Sequence, residues 1–91
     1  MAQSMTPQQR LAINLRAART KVGISQEELG DRCDLHRTEI SLLERAGREP
    51  RYATMLKLAG ALVIDAREFF AGSRWDYEAA RFVVEPPPAA K

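Results

Sequence analysis

His36, the single imidazole of the chain, stands beside Arg37 and Thr38, and Ser41 and Leu42 follow one helical turn later. The run offers hydrogen-bond donors, a fixed positive charge and an apolar tip within a few residues. Three more guanidinium groups follow at Arg45, Arg48 and Arg51. Arginines at such spacing suit a polyanion, since a guanidinium fork matches phosphate geometry. On charge alone they fit a solvated basic face equally well, because Glu39, Glu44 and Glu49 are interleaved with them. Catalysis is not expected: no glycine-rich phosphate loop and no nucleophile arrangement accompanies His36. One histidine and one cysteine cannot complete a four-ligand zinc site, and a lone cysteine cannot close an internal disulfide. No metal and no cofactor is therefore expected. Cys33 reads as a small core hydrophobe, since a reactive thiolate needs an exposed electropositive setting.

The chain that must position these groups has 91 residues, which is room for one small domain. Its hydrophobic share is 45% but its aromatic share only 7%, so a core must come mostly from aliphatic helix faces. Fourteen basic residues against 12 acidic ones give a net charge of +2, too small a surplus to name a partner. Position says more, because nine of the 14 basic residues lie between Arg10 and Arg51. There is no run of about 18 apolar residues and no apolar stretch near Met1 that could act as a signal peptide. The expectation is a cytoplasmic chain without membrane contact.

Thr6-Pro7-Gln8-Gln9 has the form of a helix start, with Thr6 capping, Pro7 at the first helical position and Gln9 closing a capping box. Leu11, Leu15, Ala18 and Val22 then recur at helical spacing until Gly23. Ser25-Gln26-Glu27-Glu28 reads as a second capping box and opens a short helix carrying Leu29 and Cys33 inward, which Asp34 interrupts. A third helix from Arg37 to Arg45 turns Ile40 and Leu43 inward and ends in a loop through Gly47 and Pro50. Tyr52, Met55, Leu56, Ala59 and Leu62 form the apolar stripe of a fourth helix. Asp65-Ala66-Arg67-Glu68 reads as another capping box, opening a fifth helix with Phe69 and Phe70 that Gly72 ends. Residues 73–85 differ in kind, with Trp75 and Tyr77 and then a short strand over Arg81–Glu85; residues 86–91 read as a disordered proline-rich end.

Two short helices separated by about three residues are what a helix-turn-helix requires. Ile24-Ser25-Gln26-Glu27-Glu28-Leu29, the run from Leu35 to Arg45, and Met55-Leu56-Lys57-Leu58-Ala59-Gly60-Ala61-Leu62 together resemble the Cro/repressor-like (XRE) helix-turn-helix family. The resemblance spans about residues 8 to 71 and rests on three blocks in order. It implies an all-α, five-helix, lambda-repressor-like DNA-binding domain over residues 7–72, with residues 73–85 as an extension.

The resemblance also implies roles. His36, Arg37, Thr38, Ser41 and Leu42 would face base edges. Arg37 is the strongest reader, since a guanidinium can pair with guanine O6 and N7, and Leu42 could meet a thymine methyl. Gln26, Arg45, Arg48 and Arg51 would contact phosphates and so position rather than specify. Arg19 and Glu44 would form an ion pair that fixes the reading helix. His36 could instead serve only as a helix cap, and Glu39 reads better as a capping carboxylate than as a cytosine reader. Three departures from the family bear on backbone geometry. Asp34 stands where the turn usually has glycine, Gly47 falls one place late, and Val63 replaces a glycine after the fourth helix.

The expected partner is double-stranded DNA, bound as a homodimer on a palindromic operator, with repression the expected outcome. The extension either folds back over its own fifth helix or covers a partner subunit; in the second case Phe69, Phe70, Trp75, Tyr77, Phe82 and Val84 are the candidate dimer surface, and Arg81–Glu85 could add a strand across a two-fold axis. Rival readings are an antitoxin that binds a partner protein through its extension, a restriction-modification controller, and a pure protein-interaction domain that has lost DNA binding.

Overall fold

A computed structural model describes residues 4–88, and the end of the proline-rich tail, 89–91, lies outside them. The chain forms α1 (Pro7–Val22), α2 (Gln26–Cys33), α3 (Arg37–Glu44) and α4 (Tyr52–Leu62), then a 3₁₀ helix (Ala66–Phe70) and two strands, β1 (Ser73–Asp76) and β2 (Arg81–Val84). The capping box at the start of α1 is complete: Gln9 N–H donates to the Thr6 hydroxyl, and Thr6 N–H donates to the Gln9 side chain. Gly23 ends the helix with φ at 88°. At α2 only half of the box forms. Ser25 accepts from Glu28 N–H, but the Glu28 carboxylate turns to Arg32 one turn along.

Two expectations about the elements need correction. The fifth helix is a 3₁₀ turn rather than an α-helix, so the described residues hold four α-helices. Asp65 accepts from Arg67 N–H, two residues on, and so builds a tight side-chain turn in place of a capping box. Only short i to i+3 bonds follow, such as Glu68 N–H to Asp65 O at 2.9 Å. The extension is a β-hairpin rather than one strand, so the chain is not all-α: β2 pairs antiparallel with β1 of the same chain, Trp75 opposite Phe82. Their rings meet edge to face with centroids 5.0 Å apart.

Leu15, Leu29, Cys33, Ile40, Leu43, Leu58, Ala59, Leu62 and Phe69 form one buried cluster drawn from all four α-helices and the 3₁₀ helix. The inward stripe of α4 runs through Met55, Leu58, Ala59 and Leu62; Tyr52 and Leu56, expected inside, are exposed. Burial raises the Cys33 thiol above its usual pKa, which keeps it protonated and inert. Among the described residues, no helix is long and apolar enough to cross a membrane.

Candidate nucleic-acid interface

The turn between α2 and α3 is set by one close approach. A Cβ on Gly30 would lie 2.6 Å from the Leu35 carbonyl oxygen and 3.4 Å from the Arg37 nitrogen, so only glycine lets α3 begin against the end of α2. Leu35 N–H donates to Gly30 O at 2.8 Å, and Asp34 takes the left-handed conformation at φ 58° where the family favours glycine. The end of α3 closes in the same way. Gly47 N–H donates to Leu42 O and Ala46 N–H to Leu43 O, with Ala46 at φ 57°. The late glycine thus leaves an alanine to adopt the left-handed position.

His36 caps α3: its Nδ1 accepts from Thr38 N–H at 3.0 Å and also meets the Thr38 hydroxyl. An imidazole that accepts at Nδ1 carries its proton on Nε2, so His36 caps with one nitrogen and keeps a donor on the other. His36, Arg37 and Thr38 are all exposed. Among the described residues, the Arg37 guanidinium makes no hydrogen bond or ion pair. Ser41 and Leu42 are half-buried one turn deeper, Leu42 resting against Gly47.

Behind this edge, Arg19 of α1 holds Glu44 at the end of α3 with Nε to Oε2 at 2.6 Å and Nη2 to Oε1 at 2.9 Å. The carboxylate is 3% exposed. The hydrogen bond to Glu44 raises the Arg19 pKa above its ordinary value, outweighing burial. Gln26 adds a 3.1 Å bond from Nε2 to Glu44, so its amide serves the clamp. Arg19 also donates to Ile24 O at 2.8 Å, tying in the segment before α2.

Glu39 does not cap α3 as expected; it accepts from Arg48 Nη1 at 2.6 Å, pinning the following loop to the first turn of the helix. Two of the three interleaved carboxylates, Glu39 and Glu44, are therefore neutralised locally, while Arg37 and Arg51 carry free positive charge at the surface and Arg45 Nε bonds only to Ser41 O. Arg51 precedes α4, whose first turn has no side-chain cap. The backbone N–H groups left there, beside a polar groove of about 460 Å³ between Arg48 and Thr54, suit an anionic oxygen. Sequence reasoning missed that opening; its signal was an arginine where a cap would carry Ser, Thr, Asp or Asn.

Of the candidate dimer residues, Phe69 is corrected to the core at 2% exposure. Phe70, Trp75, Tyr77 and Phe82 are exposed and Val84 is half-buried. The sequence reading also missed Arg10 and Asn14. Arg10, 6% exposed, donates to Glu85 O at 2.9 Å and to Asn14 Oδ1, while Asn14 donates to Phe69 O and Ala71 O.

The family model for helix-turn-helix proteins matches residues 15–69. The restriction-modification controller protein C.AhdI from Aeromonas hydrophila is similar at 39% identity and TM-score 0.67, over 68% of this chain and 94% of that one. A hypothetical transcription factor, NHTF, from Neisseria is 36% identical at TM-score 0.67, over 70% and 72% of the two chains. The P22 c2 repressor, solved with a synthetic operator, is 31% identical at TM-score 0.64, over 68% and 94%. No curated protein matches the sequence.

Proposed function

Because the chain belongs to the helix-turn-helix family, we infer that it is a DNA-binding transcription regulator, and we propose that it represses from the cytoplasm as a homodimer on a palindromic operator. Each subunit sets the start of α3 into the major groove, the two about 34–36 Å apart. The observation that carries this reading is the exposed His36–Thr38 edge at the start of a helix clamped by Arg19 and Glu44. A reading group must project freely while its support stays fixed. Arg37 pairs with guanine, and the His36 Nε2 proton and Ser41 meet neighbouring acceptors. Leu42, half-buried against Gly47, is left with an apolar edge for a thymine methyl. Arg45 and Arg51 grip phosphates, joined by Gln26, by the uncapped start of α4 and by Arg48 once a phosphate competes with Glu39.

In vitro selection gives the operator, and two variants then test the roles. Arg37→Ala removes about 1–3 kcal/mol of preference at one base pair per half-site, whereas Arg51→Ala weakens all sequences alike and lowers the salt slope by about 1 per subunit. Unchanged affinity and unchanged preference in a folded Arg37→Ala protein overturn base reading by α3.

A further inference from the structure

The hairpin carries an edge that only one kind of strand fits. Glu85 N–H donates to Gly72 O at 2.8 Å just past the ladder in which Ser73 faces Val84 and Trp75 faces Phe82. Bonded pairs in an antiparallel ladder alternate, so Arg74 with Val83 and Asp76 with Arg81 exchange the inner bonds. The N–H and C=O groups of Phe82 and Val84 therefore point away from β1. A groove of about 450 Å³ runs along this outer edge, lined by all four β2 residues, Pro86 and Ser4–Met5, and by no residue of β1.

We infer that β2 pairs antiparallel with β2 of a second copy, with the two-fold axis at Val83. This rests on the homodimer reading above and assigns its surface. Registers that pair the outward groups of Phe82 and Val84 with those of a second copy's Phe82 and Val84 number three. Phe82 opposite its own copy would place Val84 against Ala80, a turn residue at φ 54°. Val84 opposite its own copy would place Phe82 against Pro86, which has no N–H. The remaining register sets Phe82 opposite Val84 twice, giving four backbone bonds between strand residues. The same register sets Arg81 opposite Glu85 at both ends. Among the described residues neither side chain has an ion-pair partner within the chain, and Asp76, which faces Arg81, spends its carboxylate on Glu78 and Ala79 N–H. The segment Arg81-Phe82-Val83-Val84-Glu85 is thus complementary to itself in charge, in apolar pairing and in hydrogen bonding.

Sedimentation of the DNA-free protein tests this. The wild type is expected to be a dimer at about 100 µM. Val84→Pro removes two of the four intermolecular bonds but no bond to β1, and is expected to weaken the dimer about tenfold or more while the near-ultraviolet circular dichroism of the Trp75–Phe82 pair persists. Arg81→Glu and Glu85→Arg each weaken the dimer, and the double variant restores it. A dimer indifferent to Val84→Pro and to both single charge reversals overturns the β2 edge and leaves the homodimer reading standing. A wild-type monomer both alone and on its operator overturns both.

Discussion

Two arginines of α1 hold opposite parts of the molecule by different chemistry. Arg19 meets a carboxylate, Glu44, and secures α3, which also sits on the aliphatic core through Ile40 and Leu43. Arg10 is more deeply enclosed, yet its bonds run to neutral acceptors, the Glu85 carbonyl and Asn14, and it secures a hairpin whose aromatic rings, Trp75, Tyr77 and Phe82, stay largely exposed. The α3 end is fixed by packing with an ion pair added. The hairpin end depends on polar bonds around one side chain, with little buried area behind them. Local stability should differ accordingly, the hairpin opening at lower free energy than the helices.

The largest expected effect comes from breaking the α3 end. Gly30→Ala forces a methyl group into the Leu35 carbonyl at 2.6 Å, and backbone cannot yield as a side-chain tip can. A loss of about 3 kcal/mol of global stability is expected, read by denaturant titration, together with loss of operator binding at temperatures where the chain remains folded. Wild-type stability in this variant would mean that the turn has slack, and the contrast between the two ends would fail on that side.

Breaking the other end gives a smaller, local effect. Arg10→Met keeps much of the volume but removes the donors to Glu85 and Asn14, and about 2 kcal/mol of hairpin stability should go with them. The measurement is Trp75 fluorescence and hydrogen exchange of the β2 amides, against the far-ultraviolet signal of the helices. Equal loss from both would show one cooperative unit instead of two unequal ones.

The helical part was legible because its signals are local: caps at Thr6 and Ser25, the stop at Gly23, and apolar residues at helical spacing. The Arg19–Glu44 pair and the exposed edge at His36 followed from family resemblance joined to that spacing. What stayed hidden depends on groups distant in sequence. Arg10 and Glu85 are 75 residues apart, and nothing near Arg10 distinguishes it from a surface arginine. Glu39 looked like a cap because its partner, Arg48, comes from the next loop. The fifth helix misread for a different reason: Asp65 bonds two residues on, and a five-residue element cannot propagate α-helical bonds against that turn.

The smallest effects compare the two ends by one common change. Val63 closes α4 in the left-handed conformation at φ 55° although its side chain is β-branched and 87% exposed, so it holds strain and makes little contact. Ala80 adopts φ 54° in the turn of the hairpin. Glycine relieves the backbone at both, partly offset by its greater freedom in the unfolded chain. Val63→Gly should add about 1 kcal/mol to global stability and raise the melting temperature, since α4 belongs to the common core. Ala80→Gly should add about 0.5 kcal/mol, and only to the hairpin, raising exchange protection in β2 while the helical melting transition stays in place. If Ala80→Gly moves the main transition as far as Val63→Gly does, the hairpin melts with the helices, and the polar bonds around Arg10 couple the two ends as firmly as the core couples α3 to α1.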